Sequence, residues 1–509
     1  DTQGRMSYAT TLCRTALGVD APLVTVETHL ANGLPAFTIV GLPEKAVQES
    51  RERVRSALLN SGFDFPARRI TVNLAPADVP KYGSRFDVAI AIGILLASGQ
   101  LPEDALTGYE LLGELSLAGS IRPINGVLPA AISAASINSR LVVPQENAEE
   151  ACLVKDLKVL PADHLLTLTA HFNGDSLIPA AIASPPLCAE INTLDLADVQ
   201  GQAQARRALE VAAAGRHNLL MMGPPGSGKS MLASRLPGIL PPMSEHEALE
   251  LAAIRSVAQR GIDLANWRRR PFRSPHHTAS GVALVGGGSL PAPGEISLAH
   301  HGVLFLDELP EFSSNVLEVL REPLETGRIL ISRAARQAEF PADFQLIAAM
   351  NPCKCGYLHD PKRACATCSA EHAARYQRRI SGPLRDRIDI QIEVPALPHR
   401  ELIDGLQRKG ECSATVAKRV QAAWLRQHRR QGMSNARLGK TALAAHCRLP
   451  AGGDQLLSTA IERLGLSARA LHRILRVART VADLAGSERI DLAHLTEAAG
   501  YRRLDRHPS

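Results

Sequence analysis

The run GPPGSGKS is the part of the sequence whose residue types and spacing most directly predict chemistry. It matches G-x-x-x-x-G-K-[ST], follows an apolar strand-like segment over residues 219–222, and precedes a helix-like pattern. Glycines in such a loop let backbone N–H groups wrap phosphates, while the lysine reaches the β- and γ-phosphates and the final hydroxyl binds Mg²⁺. We therefore predict an ATP site. Its members are Gly223, Pro224, Pro225, Gly226, Ser227, Gly228, Lys229 and Ser230.

Two further apolar runs end in polar side chains that suit the same chemistry. GVLFLDE places Asp307 and Glu308 after a buried-strand pattern. We expect Asp307 to hold Mg²⁺ together with Ser230, and Glu308 to polarise the attacking water. The run FQLIAAMNP ends at Asn351, whose amide can orient the water or the γ-phosphate. The alternative for Asn351 is a turn-forming residue before proline.

Arginines could complete a phosphoryl-transfer site, because guanidinium groups stabilise the charge that develops on the phosphate. RISGPLRDRIDI contributes Arg385 and Arg387, and Arg469 opens the basic helical pattern LSARALHRILRVARTVADL. The residues alone leave open which arginine acts within its own chain and which acts across a subunit boundary.

A cysteine cluster follows Asn351 directly. The spacing is C-x-C, nine residues, then C-x-x-C, and the members are Cys353, Cys355, Cys365 and Cys368. Two close pairs of thiolates are what a tetrahedral structural zinc site needs, and four sulfurs leave no open position for catalysis. His359 and His372 are further candidate ligands. Four reduced thiols in a loop are the alternative.

The elements that must position these residues fall into three regions. At about 150 residues per domain, 509 residues suggest about three domains. Residues 1–175 and 192–398 alternate strand-like and helix-like runs, which predicts two α/β domains. A proline-rich linker over 176–191 separates them, and residues 399–509 lack strand patterns and should be helical.

Composition and charge limit the class of protein. A hydrophobic fraction of 45% with 21% charged residues excludes a mainly disordered chain. The net charge is 57 − 51 = +6. Residues 401–509 carry 19 − 10 = +9 of it and the first 400 residues 38 − 41 = −3. A basic end indicates either a nucleic-acid partner or a solvated arginine-rich surface.

The same composition predicts a cytoplasmic protein without a membrane partner. No uncharged apolar run reaches the roughly 20 residues that span a bilayer. The start DTQGRMSYATTL has no apolar leader segment. Nine cysteines, of which four are clustered, suit a reducing compartment and a metal site better than a disulfide framework.

The set GPPGSGKS, GVLFLDE, AAMN and SGPLRDRID resembles the AAA+ ATPases. FRSPHHTASGVALVGGGSLPAPGEISLAHHGVLFLDELPEF and the basic helical pattern narrow this resemblance to the magnesium-chelatase-like subfamily, and within it to YifB/ComM proteins, over nearly the whole chain. The resemblance implies Walker A roles for Lys229 and Ser230, Walker B roles for Asp307 and Glu308, and sensor 1 for Asn351.

For the arginines, the resemblance implies an arginine finger at Arg387 that reaches a neighbour's nucleotide. It implies sensor 2 at Arg469, acting on the nucleotide of its own chain from a C-terminal helical lid. Many relatives have GPLLDRID where this chain has GPLRDRID, so Arg385 departs from the family pattern and competes with Arg387 for the finger role.

The activity implied by the resemblance is that of a hexameric, ATP-driven motor. It would promote branch migration of single-stranded and branched DNA while incoming DNA recombines during natural transformation. The segment over residues 231–305 has room for DNA-contacting loops, and its candidates are Arg268, Arg269, Arg270, Arg273, His276 and His277. The alternative for this segment is a β-hairpin packed on the core.

Two other functions fit parts of the sequence. One is the ATPase motor subunit of a magnesium-chelatase-type complex, which would have the same nucleotide site. The other is a non-catalytic DNA-binding scaffold, which would require a defective Walker site. Nothing in GPPGSGKS or LFLDE indicates such a defect.

The N-terminal region resembles the Lon-protease-like (S5-like) domain, through ADVPKYGSRFDVAIAIGIL and LGELSLAGSIRPINGVLPAAISAA. Matching these segments to the protease places Arg85 at the nucleophilic serine and Leu128 at the lysine base, with Ser84 one residue away. A Ser–Lys mechanism needs both groups within hydrogen-bond reach. We therefore expect a protease-inactive domain that serves as a DNA-binding or ring-organising collar.

Overall fold

The structure is a computed structural model that describes residues 7–182, 194–288, 291–333, 336–358, 368–397, 410–464, 467–502 and 504. The chain forms two compact units. The first comprises residues 1–188 and 249–267, and the second comprises residues 189–248 and 268–509. The finer boundaries 1–175, 176–191, 192–398 and 399–509 stay a prediction, and residues 183–191 and 399–409 lie outside the described residues.

The first unit is a mixed α/β structure. Its strands are β1 (Tyr8–Arg14), β2 (Leu23–Ala31), β3 (Ala36–Val40), β4 (Arg69–Ala75), β5 (Tyr109–Leu111), β6 (Glu114–Leu115), β7 (Ile121–Arg122), β8 (Arg140–Pro144) and β9 (Lys158–Ala162). Its helices are α1 (Lys45–Gln48), α2 (Ser50–Asn60), α3 (Asp87–Ala97), α4 (Val127–Ser136), α5 (Ala148–Ala151) and α6 (Leu165–Asn173).

Two sheets carry the core of the first unit. One has the order β1-β2-β4-β3, and the other has the parallel order β5-β8-β9. In β2, alternate side chains from Val24 to Leu30 are buried, as a period of two predicts for a sheet with one covered face. Helix α3 is buried along its whole length. A Cβ at Gly93 would come within 2.6 Å of Thr28 Oγ1, so glycine permits α3 to lie this close to β2.

The second unit has a larger set of elements. Its strands are β10 (Leu219–Met222), β11 (Phe272–Arg273), β12 (Gly286–Gly287), β13 (Ala292–Pro293), β14 (Val303–Leu306), β15 (Arg328–Arg333), β16 (Arg336–Pro341), β17 (Gln345–Met350) and β18 (Ile390–Glu393). Its helices begin with α7 (Ala203–Gly215), α8 (Lys229–Arg235) and α9 (Glu245–Val257), and the unit boundary falls within α9.

Further helices of the second unit, as far as the structure describes it, fall into two groups. The first group contains α10 (Gly281–Val285), α11 (Glu295–Leu298), α12 (Ser314–Val319), α13 (Arg321–Thr326), α14 (Ala370–Gln377) and α15 (Gly382–Arg385). The C-terminal ones are α16 (Ser413–Gln431), α17 (Lys440–His446), α18 (Gly453–Leu464), α19 (Ala468–Leu484) and α20 (Leu492–Gly500). The prediction of a helical C-terminal region is confirmed.

A five-stranded parallel sheet organises the second unit, in the order β11-β14-β17-β10-β18. The segments LLMM, VLFL and QLIAAM are continuous apolar runs because parallel strands are covered on both faces. Parallel strands end at one edge, so β10, β14 and β17 deliver the residues that follow them to the same place. The mixed α/β class predicted from the sequence is confirmed.

Helix α19 joins the C-terminal helices to this sheet unit. Its buried stripe includes Ile474, Ala478 and Val481, which belong to one hydrophobic core with Leu209 of α7 and Ile347 of β17. Among the helices that the structure describes, none combines the length and hydropathy of a membrane-spanning segment.

A buried ion pair generates a stability prediction for the first unit. Asp87 is fully buried, and its carboxylate accepts bonds of 2.7 and 3.1 Å from Arg53 and one of 3.1 Å from the Leu115 N–H. Arg53→Met leaves this carboxylate buried without its cation, so we expect the unit to lose about 3 kcal/mol of unfolding free energy.

This loss can be measured by urea unfolding in a Trp424→Phe background, where fluorescence comes from Trp267, which packs on the core of the first unit. The matched control is Arg51→Met, since Arg51 is exposed on the same helix and, among the described residues, its side chain bonds to the Gln48 carbonyl and not to a carboxylate. Equal losses for the two variants would contradict a structural role for the pair.

Candidate active site

The segment Gly223–Ser230, called the nucleotide loop below, comprises the turn after β10 and the first two residues of α8. Gly226 and Gly228 have φ of 76° and 91°, a region that side-chain-bearing residues rarely adopt. A Cβ at Gly223 would come within 2.1 Å of the Val394 carbonyl oxygen. Gly226 and Gly228 therefore allow left-handed turns, and Gly223 allows a close approach of the loop to the backbone of Val394.

The side chain of Lys229 folds back onto the start of the nucleotide loop. Its ammonium donates bonds of 2.8 and 2.9 Å to the Gly223 and Pro224 carbonyls and one of 3.3 Å to Asn351 Oδ1. Burial lowers the pKa of the ammonium, and the carboxylates of Asp307 and Glu308 act in the opposite direction. The bonded partners are neutral oxygens, which suits a cation that is to bind phosphate.

Ser230 and Asp307 meet where a divalent cation could bind. Ser230 Oγ donates a 2.6 Å bond to Asp307 Oδ2, and Asp307 Oδ1 accepts a 2.9 Å bond from the Glu308 N–H. A hydroxyl and a carboxylate are oxygen ligands of the kind that Mg²⁺ prefers. The donor set therefore fits the predicted magnesium site.

Glu308 is half-exposed beside this pair and has a φ of 52°. Non-glycine residues in this conformation cost energy and are concentrated at functional sites. His277 Nδ1 lies 3.3 Å from Glu308 Oε2, and its ring packs edge-on against Phe312. His277 is thus the residue that contacts the proposed general base.

The sequence had suggested His277 only as a possible DNA contact. Its place depends on the pairing of β11 with β14, because the chain after β11 then runs beside the carboxylates that follow β14. The signal available in the sequence was the pair His276–His277 shortly after a strand-like segment, but not which strand would be its neighbour.

One of the predicted arginines, Arg387, lies at the other edge of the sheet. A cavity of about 280 Å³ is lined there by Asn218, Phe344 and Asp389, which immediately precede β10, β17 and β18. Its arginines are Arg216, Arg387, Arg437, Arg473 and Arg476. We call it the arginine cavity. It sits at the amino ends of strands whose carboxyl ends carry the nucleotide loop, so about 13 Å of strand separates the two.

Arg387 is largely buried in this cavity. It donates a 2.6 Å bond to the Pro383 carbonyl and forms an ion pair with Glu325. Arg385 instead donates a 2.8 Å bond to the Leu504 carbonyl, and its Nε lies 3.4 Å from Gln391 Oε1. Both arginines are thus bonded within their own chain, and the choice between them for the finger role stays a prediction.

Arg469 is exposed in the first turn of α19. Arg473, one turn later and about 6 Å further along the axis, donates a 2.6 Å bond to Asp389 in the arginine cavity. Burial raises the pKa of Asp389, but Arg473 and His217 outweigh it and hold the pKa below its ordinary value. The cis role of Arg469 stays a prediction.

Three of the four predicted zinc ligands are close together. Cys353 Sγ lies 3.3 Å and Cys368 Sγ 3.6 Å from Cys355 Sγ, and all three sulfurs fall within 4.8 Å of one another. Burial is the main cause that raises the pKa of the Cys353 thiol, and the Cys355 contact adds to it. Cys365 and His359 lie outside the described residues, and the His372 ring contacts Ser369 Oγ.

The arginines predicted to contact DNA are partly engaged within the unit. Arg270 is buried, donates a 2.6 Å bond to the His301 carbonyl, and pairs with Glu247. Arg273 makes a two-pronged pair with Glu295 at 2.6 and 2.7 Å. For these two residues, the structure favours the alternative of a segment shaped against the core, in which β12 and β13 form a short antiparallel pair.

In the first unit, the positions that correspond to a Ser–Lys dyad hold Arg85 and Leu128. Arg85 is buried and donates a 2.7 Å bond to the Asn125 carbonyl, and Leu128 is fully buried. Ser84 Oγ bonds to the Glu114 carboxylate. Lys81, a nearby lysine that the sequence reasoning left out, donates to the Pro76 carbonyl, and burial lowers its pKa.

Comparison with known proteins gives matches along the chain. The profile described as "Magnesium chelatase, subunit ChlI" matches residues 195–402. "Subunit ChlI of Mg-chelatase" matches residues 26–147, and "Magnesium chelatase, subunit ChlI C-terminal" matches residues 410–502. Together these matches include both units.

Similar curated proteins extend over the same length. "Competence protein ComM" of Haemophilus influenzae is 50% identical, with 98% of each chain covered. "Uncharacterized protein YifB" of Salmonella typhimurium is also 50% identical, with 98% of each chain covered. A shorter match to "Lon protease 2" of Bacillus subtilis has 26% identity over 33% of this chain and 34% of that one.

The contact between His277 and Glu308 generates a kinetic prediction. His277→Ala removes the group that fixes the carboxylate, so we expect kcat for ATP hydrolysis to fall roughly tenfold while KM stays within about twofold. Steady-state hydrolysis at saturating Mg²⁺ measures both constants.

His276→Ala is the matched control for His277, because the His276 ring nitrogen bonds to Thr278 instead of to the carboxylate. An equal loss in the two variants, or a loss confined to KM, would show that His277 does not position Glu308.

Proposed function

The chain belongs to the magnesium-chelatase-like YifB/ComM family of AAA+ ATPases, with an N-terminal Lon-like domain and a C-terminal helical domain. From this premise we propose that it is an ATP-driven DNA motor that promotes branch migration. The observation that carries the proposal is the convergence of Lys229, Ser230, Asp307, Glu308 and Asn351 at one edge of the parallel sheet.

Each of these residues has its own role in the proposed hydrolysis of ATP. Lys229 and Asn351, which already contact each other, bind the terminal phosphates. Ser230 and Asp307 hold Mg²⁺, which supplies charge neutralisation when bound. Glu308 accepts the proton of the attacking water and is kept in place by His277.

Arg387 cannot complete the site of its own chain, since it lies at the opposite edge of the sheet. We therefore propose that it serves the nucleotide of the next subunit. A contact that joins one edge of a subunit to the other edge of its neighbour is heterologous, and such contacts form a ring when the rotation between neighbours closes. A homo-hexamer is the proposed form of that ring.

DNA is the proposed substrate of the motor. The charge of +9 over residues 401–509 supports an electrostatic, sequence-independent contact with phosphates. The name "Competence protein ComM" supports a role in the recombination of incoming DNA during natural transformation. A magnesium-chelatase-type motor would share the nucleotide site, but its hydrolysis would not respond to DNA.

Other parts of the chain have supporting roles in this proposal. The three clustered thiols, with Cys365 as the fourth ligand, hold a structural zinc ion. The first unit is inactive as a protease because Arg85 and Leu128 occupy the dyad positions. The protein acts in the cytoplasm, where the described cysteines, all of them thiols, stay reduced.

The central test is ATP hydrolysis with and without single-stranded and four-way-junction DNA. We expect DNA to raise the rate at least about tenfold and Lys229→Ala to lower it by at least 10²-fold, since the ammonium is lost from the phosphate site. Lys440→Ala, an exposed lysine on α17, is the control and should behave as the unchanged protein. Hydrolysis that ignores DNA would shift the function to the chelatase-type motor.

Mixing two inactive variants tests the proposal that the site is shared. Lys229→Ala and Arg387→Ala should each be inactive alone. In equal mixture, roughly a quarter of the contacts in a random ring pair an intact nucleotide loop with an intact finger, so about that share of activity should return.

The controls for the mixing experiment are Arg385→Ala, which should stay active alone, and a mixture of Lys229→Ala with the doubly substituted chain, which should stay inactive. Absence of recovery in the first mixture, with assembly verified by sedimentation, would contradict catalysis across the boundary.

A further inference from the structure

The chain after Asn351 touches the nucleotide loop at two points. At its start, the Asn351 amide oxygen accepts the 3.3 Å bond from Lys229. Five residues later Gly356 lies against Pro225, so closely that a Cβ at Gly356 would come within 2.4 Å of Pro225 Cδ and 2.7 Å of Cγ. Between the two points lie Cys353 and Cys355.

The thiol cluster, defined as Cys353, Cys355 and Cys368, shapes the turn that makes the second contact. The Gly356 N–H donates a 3.0 Å bond to the Cys353 carbonyl, and Gly356 has a φ of 86°. The turn therefore begins at one clustered thiol, passes through the next, and presents Gly356 to the loop. A side chain at this position has neither a favourable backbone conformation nor space.

The cluster also connects this turn to a helix. Cys368 immediately precedes Ser369, the residue that caps α14. At the far end of α14, Gln377 Nε2 donates a 2.9 Å bond to the Pro352 carbonyl. The chain directly after Asn351 is thus held at Pro352 by the helix and at Cys353 and Cys355 by the thiol cluster.

We propose that a thiophilic divalent cation, Zn²⁺, bound at the thiol cluster acts as a latch on the nucleotide loop and sets its affinity for ATP. Occupied, the cluster fixes the turn so that Gly356 supports Pro225 and Asn351 supports Lys229. Without the cation, the turn is no longer fixed and both supports are lost. Part of the binding free energy of ATP must then order the loop, so the affinity for ATP falls. This inference rests on the proposed nucleotide-binding function. It assigns to the metal an effect on the affinity of the loop for ATP.

Nucleotide affinity measured directly tests the latch. The full chain is assayed for zinc by mass spectrometry, extracted with 1,10-phenanthroline, and titrated with a fluorescent ATP analogue in the presence of Mg²⁺ before extraction, after extraction and after zinc is restored. We expect about one zinc per chain. The Kd should rise about tenfold on extraction and return when zinc is restored.

Gly356→Ala tests the contact without removing a thiol. Its Cβ would collide with Pro225, so this variant should retain zinc and still bind the analogue about tenfold more weakly. The control is Gly432→Ala, since Gly432 has a φ of 73° but no atom within 4 Å of the added Cβ, and thus reproduces the backbone strain alone. Circular dichroism melting verifies that each sample is folded.

The possible results distinguish failure of the latch proposal from failure of the proposed nucleotide-binding function. Weaker binding on extraction and in Gly356→Ala, with Gly432→Ala unchanged, supports the latch. A chain without zinc, or an affinity that neither extraction nor Gly356→Ala alters, overturns the latch and leaves the motor intact. Failure of the unaltered chain to bind the analogue would overturn the proposed function and the latch with it.

Discussion

The parallel order of the five-stranded sheet is the constraint on which the rest of the second unit depends. It brings the carboxyl ends of β10, β14 and β17 to one edge and the amino ends of β10, β17 and β18 to the other. Phosphate-binding and water-activating groups gather at the first edge, and arginines gather at the second. In the mechanism we propose, one subunit therefore carries halves of two different active sites, and catalysis requires assembly.

Within the first edge, each candidate group contacts another part of the second unit. Lys229 bonds to the loop carbonyls and to Asn351, and Ser230 bonds to Asp307. Glu308 contacts His277. The segment after Asn351 returns to the loop through Gly356, so the geometry of the loop depends on chain that is distant in sequence. Such shared support explains how a metal site or a DNA-bound segment could alter hydrolysis without touching the nucleotide.

Much of the fold and of the candidate site could be predicted from local patterns in the sequence. The α/β class and the helical C-terminal region follow from apolar periodicity, and the nucleotide loop follows from glycines, a lysine and a hydroxyl within eight residues. Three features depend on tertiary packing. His277 reaches Glu308 through the pairing of β11 with β14. Arg473 reaches Asp389 through the packing of α19. The approach of Gly356 to Pro225 joins segments about 130 residues apart.

The most direct test of the account is movement of a branch point. A labelled four-way junction is incubated with the purified chain, with either ATP or a non-hydrolysable analogue, and the separated arms are quantified by electrophoresis. We expect arm separation with ATP only, and its loss in Glu308→Gln, which retains nucleotide but lacks the carboxylate that activates water. A chain that hydrolyses ATP in the presence of the junction yet leaves it intact would contradict the assignment as a branch-migration motor.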